Sequence, residues 1–383
     1  MAEHEFDDPP FRAEVQEFLR EHWLSGQYRQ DLPAWRRLAT ERGYLYRNVP
    51  KKYGGSEQQA NPIRAYIIQQ EFIKARAPRE LPGRSIDRVV PTLLLFGTEW
   101  QKDYFVPRTV SGEFVWCQGY SEPSGGSDLA SLRTRAELVG DEWVINGQKV
   151  WTSGAHQSTH MFMLARTEPD EPKHAGISYL LLEMKQPGVE VRQIKQLTGE
   201  AHFNEVFFTD AKTPKDWIVG ERGGGWIVSR TTLAFERAAV GAADGTSVLF
   251  DRLVKLAQTT QLNGAPAIKD PGIREEVTRI HTMVQAHLAE GQEQLHRALR
   301  GQEGAPAGGA TTKLYNSFIT ERIGQVAQRI IGDTAMGSIV ADAPGPARWI
   351  NQYFNSIASH IGGGTSNMQR NMIAERGLGM PRS

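Results

Sequence analysis

The chain has 383 residues, 39% of them apolar, and its 44 Lys+Arg balance 44 Asp+Glu to a formal charge of zero. That balance removes the electrostatic case for nucleic acid, which needs a clustered basic excess, and no window approaches the roughly 18 apolar residues of a membrane span. The single cysteine, Cys117, excludes an intrachain disulfide and, with an acidic start that lacks an apolar h-region, predicts a cytoplasmic protein without a signal peptide.

The N-terminal stretch reads as helical over 11–110. Phe11, Val15, Phe18, Leu19 and Trp23 recur at helical spacing, and Asp31 with Pro33 marks a helix start that should end at Gly43. NVPKKYGG (48–55) is a Pro/Gly-bounded loop, followed by helical stretches from Pro62 to Ala77 and across Val89–Phe105. From Glu113 the period changes to short β-rich runs separated by turn residues, and Asn146-Gly147 carries a hairpin signal between EWVI and QKVW. Regularly spaced strands without intervening helices predict an antiparallel β barrel or sandwich rather than a Rossmann sheet. After Gly223-Gly224-Gly225 the helical period returns, with helices predicted over 226–260, 271–300, 310–331, 345–359 and 365–376. The expectation is an α+β chain, mostly α: an N-terminal helical domain (1–112), a central antiparallel β domain (113–222) and a C-terminal four-helix bundle (223–383).

Two segments carry chemistry. Ser121-Glu122-Pro123-Ser124-Gly125-Gly126-Ser127-Asp128 can bring backbone N–H groups and serine hydroxyls against a phosphate or a ring edge, and it reads equally as a tight turn. Asn146–Ser153 (NGQKVWTS) places an indole at Trp151, which is either a core residue or a flat wall for an aromatic cofactor. Cys117 has no base beside it and reads as packing. The ten histidines show no metal-ligand spacing: His281 and His287 are amphipathic helix positions, and His156 and His160 lie in a strand–loop region where i,i+4 does not converge.

In this order, on a β domain flanked by helices, these segments resemble the acyl-CoA dehydrogenase family. The matched segments are VPKKYGG (49–55), WCQGYSEPSGGSD (116–128), NGQKVWTS (146–153) and IGGGTSNMQRNMIAERGLG (361–379), so the resemblance covers nearly the whole chain. It implies FAD as cofactor, with Gln118, Tyr120 and Ser121 on the flavin pyrimidine and Ser127 near the phosphates of FAD and CoA. Trp151 would lie on the flavin face, Ser153 at its N5 edge, and Gly332, Gly364 and Thr365 would also touch the cofactor. It further implies lipid catabolism, an acyl-CoA substrate, an electron-transfer flavoprotein as acceptor, and a homodimer or homotetramer.

The base departs from the family's commoner pattern. Gly363 stands where many members carry glutamate before the Gly-Thr pair, whereas Leu233-Ala234-Phe235-Glu236-Arg237-Ala238 matches a subgroup with the base on the long helix after the β domain. Glu236 is therefore the expected base, and Arg237 either neutralises a CoA phosphate, braces the base, or is a solvated helix residue. Two further departures concern the cofactor's adenine half: Thr260 stands in place of an arginine, and Ile331-Gly332-Asp333-Thr334 alters a Gly-Gly loop. Both elements serve across a subunit interface in the family, which leaves a hetero-oligomer as an alternative assembly. A flavin oxidase or monooxygenase, and a non-catalytic subunit, are the alternative functions.

Overall fold

Each early helix begins where a short polar side chain replaces the missing helical partner of a free N–H. Asp8 accepts from Phe11 N to start α1 (Pro9–Phe18), Asp31 from Ala34 N (2.9 Å) to start α2 (Leu32–Glu41), and Asn61 from Arg64 N (3.0 Å) to start α3 (Pro62–Ala75). Such a cap contributes about 1 kcal/mol. The helical stretches expected across Val89–Phe105 are α4 (Val90–Phe96) and α5 (Glu99–Ser111). Thr98 and Gln101 form a reciprocal capping box that opens a new N-terminus there. Trp35, Phe72 and Phe105, all fully buried, anchor the core these helices share with one face of the sheet. The computed structural model describes residues 7–81, 83, 85–240, 243–300, 302, 307–332 and 346–382, without the side chains of 236–240, 243–244, 298 and 346–347.

Eight strands follow: β1 (Trp116–Gly119), β2 (Arg135–Val139), β3 (Glu142–Lys149), β4 (His160–Arg166), β5 (Ile177–Glu183), β6 (Val189–Ile194), β7 (Phe203–Pro214) and β8 (Ile218–Val219). They run in the order β6-β7-β3-β2-β4-β5-β8, antiparallel except where β4 meets β1 and β2. Among the described residues β1 pairs in the sheet with β4 alone, so it is an edge. β4 shows why the period-2 pattern fades here: Phe162 and Leu164 enter the helix-facing core, while Met161, Met163 and Ala165 enter a second core on the other side.

Asn146-Gly147 is not the hairpin turn. β3 runs straight through it, and the β2–β3 turn lies at Gly140-Asp141, flanked by the Val139–Glu142 pair. Gly147 sits at a register shift against β7 with φ +148°, where a Cβ would come 2.7 Å from Thr134 Cα, and Asn146 exchanges two 2.9 Å hydrogen bonds with Asp210. The dipeptide marks a bulge and a close backbone approach, which the local sequence does not distinguish from a turn.

The C-terminal half contains α6 (Gly225–Val240), α7 (Ala243–Thr259), α8 (Pro271–Leu299), α9 (Gly308–Ile331), α10 (Pro346–Ser359) and α11 (Ser366–Met372). Leu253 and Ala257 of α7, Ile273, Val277, Ile280 and Val284 of α8, and Ile319, Ile323, Val326 and Ile330 of α9 make one core, with Trp349 of α10 against it. Their spacing of three and four residues turns one face of each helix inward. α7 to α10 thus form the bundle, and α6 links it to β5 and α4, where Thr232 and Thr92 share a buried 2.9 Å hydrogen bond. Among the described residues no helix is long and apolar enough to cross a membrane.

Candidate functional site

β1 and β3 deliver two of the segments singled out above to one place. Past the end of β1, Ser121 O accepts from Val150 N (2.9 Å) and Tyr120 O accepts from Lys149 Nζ (3.2 Å), so 118–121 lies directly beside 149–153. Lys149 is fully buried and donates to Glu122 Oε1 at 2.8 Å; the same carboxylate accepts from Arg133 N (2.6 Å) and Thr134 N (2.9 Å). Burial works to raise the Glu122 carboxyl, but attraction to Lys149 and these donors outweigh it and hold it below the ordinary carboxylate range. Glu122 and Gly125 also exchange two 3.0 Å backbone bonds that close the SEPSGG turn. The turn reading and the ligand reading are compatible, because the turn presents Gly126 and Ser127 at the exposed surface. Asp128 beyond it is tied to Lys173 at 2.6 and 2.7 Å.

Trp151 is not a core residue. It is 59% exposed, its backbone is left-handed at φ +60°, and its ring meets Phe203 edge-on at 5.9 Å. A bulky residue held at positive φ with its ring in solvent is an unfavourable local choice that folding alone does not reward. The next residue explains how it is held: Thr152 donates its N–H to Asn204 O (3.0 Å) and accepts from Asn204 Nδ2 (2.8 Å), with His156 on the Asn204 side-chain oxygen at 3.2 Å. The Thr152 hydroxyl is buried without a partner among the described residues, next to half-buried Ser153. A flat exposed ring, an edge strand and a spare buried hydroxyl fit a flavin, which needs an aromatic wall and hydrogen bonds along its edge.

The glycine-rich segment lies on the α10–α11 loop. Gly363 (φ +70°) and Gly364 (φ +95°) precede Thr365, whose hydroxyl caps α11 by accepting from Met368 N at 3.2 Å. Gly364 O is held by Lys313 Nζ near the start of α9, whereas Gly332 is the C-cap of the same helix. The two sites are 19 residues apart on α9, or about 28 Å along its axis. One chain therefore does not bring Gly332 and Gly364 together. Glu236 and Arg237 belong to α6, but their side chains lie outside the described residues, as do Asp333 and Thr334 altogether.

Beside Thr260 a groove runs between α7 and α10, lined by Arg252, Lys255 and Arg348 with Leu249, Leu256, Thr259, Trp349 and Gln352, and by no acidic residue among the described ones. Elsewhere the histidines stay apart. His160 is packed among Phe114, Trp116 and Trp217, and burial pulls it down to about 4. His287 is buried on the inward face of α8, while His281 stacks on Phe250. Cys117 is buried with its Sγ against His160 O, and no metal-holding cluster occurs among the described residues. Sequence reasoning missed Asn204, Lys313 and the Glu122–Lys149 pair. Only the last left a signal, as two charges inside the matched motifs.

Family models cover the chain in three consecutive parts: the acyl-CoA dehydrogenase N-terminal domain matches 10–113, the middle domain 117–211 and the C-terminal domain 223–378. The chain is a member of the acyl-CoA dehydrogenase family. It is 38% identical to acyl-CoA dehydrogenase IpdE1 of Mycobacterium tuberculosis across 98% of each chain. Among solved structures it resembles the Tcur3481-Tcur3483 steroid ACAD at TM-score 0.80 and 29% identity, covering 99% of this chain and 100% of that one. It also resembles the ChsE4-ChsE5 complex of Mycobacterium tuberculosis at TM-score 0.79 and 26% identity, covering 98% and 99%. The dehydrogenase is thus a flavin-dependent oxidoreductase acting on acyl-CoA, and its helical, β and helical-bundle layers are those of its relatives.

Proposed function

We propose that the dehydrogenase converts an acyl-CoA thioester to the 2-enoyl-CoA, with FAD as its flavin and Glu236 as the base that takes the α-proton. The observation that carries this reading is the junction of the two strands, where Ser121 O meets Val150 N beside an outward-turned Trp151. In this reading Gln118, Tyr120 and Ser121 hold the ring's pyrimidine edge, Trp151 covers one face and Ser153 meets the opposite edge. Ser127 reaches the phosphates, and Gly364 with Thr365 closes the site from the α10–α11 loop. Bound flavin supplies the acceptor for the β-hydride.

Glu236 has the complementary task. The α-proton of a thioester is weakly acidic, so a positioned carboxylate is required. Gly363 cannot easily cede its place to the commoner glutamate, because its φ of +70° disfavours any residue with a Cβ. Glu236 comes one helical turn after Thr232, whose buried bond to Thr92 seats α6 against α4. Arg237 beside it is the cation for a CoA phosphate. Electrons leave to an electron-transfer flavoprotein; a base paired with a retained arginine favours this over an oxidase or monooxygenase.

Two assemblies compete. In a homo-oligomer, Arg252, Lys255 and Arg348 of the α7–α10 groove stand in for the arginine missing at Thr260. In a hetero-oligomer, such as the ChsE4-ChsE5 complex, a partner chain supplies it. The separation of Gly332 from Gly364 favours assembly over a lone chain in either case. The test is to purify the chain alone, measure its mass and flavin content, and add acyl-CoA thioesters, steroid-bearing ones included, without oxygen. Near-stoichiometric flavin, bleached near roughly 450 nm by one of them, is expected. Bound flavin that no acyl-CoA bleaches contradicts the reaction, and a flavin-poor chain contradicts the homo-oligomer.

A further inference from the structure

The loop that carries Gly363, Gly364 and Thr365 is gripped from two sides. On one side Lys313 of α9, 1% exposed, donates from Nζ to Ser359 O at 2.8 Å and to Gly364 O at 2.7 Å. One turn along α9, Ser317 Oγ adds a 3.0 Å bond to Ser359 O. On the other side Gln369 of α11, fully buried, donates from Nε2 to Gly363 O (3.1 Å) and Gly364 O (3.2 Å). A Cβ at Gly364 would push that Gln369 nitrogen aside at 2.6 Å, and its φ of +95° disfavours any residue with a side chain. Ser359 is the last residue of α10, and its carbonyl lies at the negative end of that helix.

The ammonium at the centre of this arrangement has no carboxylate partner among the described residues. Tying two carbonyls together needs only neutral donors, and Gln369 already does so. Burying an uncompensated charge costs several kcal/mol. What a cation adds over a neutral donor is a field.

We propose that Lys313 is a positioning residue for the cofactor: it holds the Gly363–Thr365 loop in the shape that receives the flavin nucleotide and keeps a positive charge against that loop. The proposal rests on the reading that Gly364 and Thr365 touch the flavin. The electrostatic consequence is that the reduced, more negative flavin is favoured over the oxidised form.

The test compares Lys313→Met, Lys313→Arg and Gln369→Leu in the purified protein, reading flavin dissociation constant, midpoint potential and melting temperature. Lys313→Met should weaken flavin binding about tenfold to a hundredfold and lower the midpoint potential. Lys313→Arg should restore much of both, since it keeps the charge. Gln369→Leu should weaken binding but leave the potential in place, because it removes donors and no charge. Wild-type affinity and potential in Lys313→Met overturn the proposal, as does a potential that falls equally in Gln369→Leu. Should Lys313→Met not fold, Lys313→Gln takes its place, and wild-type affinity and potential in that variant overturn the proposal in the same way. A wild-type chain that binds flavin and is reduced by acyl-CoA while Lys313→Met is unchanged refutes this inference alone; a wild type with no affinity for flavin refutes the functional reading with it.

Discussion

Among the described residues two lysines are buried, one in each half of the chain, and they are compensated differently. Lys149 in the β domain faces Glu122, whose oxygens also accept Arg133 N and Thr134 N, so the network closes with no net charge. Lys313 in the helical bundle faces the carbonyls of Ser359 and Gly364. Burial pulls both ammonium groups below the ordinary lysine range, and only at Lys149 does a carboxylate pull back. The same side chain is used once as a rivet between strands and once as a held charge. Removing a partner should therefore cost folding in the first case and ligand electrostatics in the second.

The largest expected effect breaks the closed pair. Lys149→Met leaves Glu122 buried without its cation, and unfolding free energy should fall by about 3–5 kcal/mol in urea melts. Lys149→Met combined with Glu122→Gln should cost less than the single change, since no charge is then stranded. A double variant as unstable as the sum of the two singles would deny the coupling.

His160 sharpens the comparison, because it is buried with neither a carboxylate nor a carbonyl array to favour its charge. Burial lowers its pKa from 6.5 to about 4, so the unfolded chain binds the proton more tightly. The stabilisation is complete above the unfolded value and is lost as pH falls through 6.5 towards about 4. Its share of the loss between about pH 7 and 4.5 is about 2–3 kcal/mol. His160→Phe should flatten that part of the stability–pH curve, and an unchanged slope would assign the acid sensitivity elsewhere.

The smallest effect concerns Trp151. Its exposed ring and left-handed backbone point to a residue kept for a ligand, so Trp151→Gly should leave the flavin-free protein as stable or about 1 kcal/mol more stable. Flavin affinity should fall in the same variant. A destabilised apoprotein would return Trp151 to the category of packing residues.

The comparison also explains what the sequence disclosed. Asp31 and Pro33 marked their helix because capping is local, and the 116–128 and 146–153 runs could be found because contiguous backbone does their work. Asn146-Gly147 misled because a bulge beneath Thr134 and a hairpin turn ask for the same residues. Lys313 and Asn204 left no trace: their partners lie 46, 51 and 52 residues away, and one lysine among 44 cations carries no local pattern. Glu236 emerged only because Gly363 vacates the commoner position, a correlation between two distant sites rather than a motif.

The proposed reaction turns on that base, and anaerobic rapid mixing of Glu236→Gln with an acyl-CoA that bleaches the wild-type flavin tests it most directly. The variant should bind flavin and acyl-CoA with affinities near those of the wild type, while its flavin is reduced about 10²–10⁴-fold more slowly. Reduction at the wild-type rate would contradict the assignment of Glu236 as the residue that takes the α-proton.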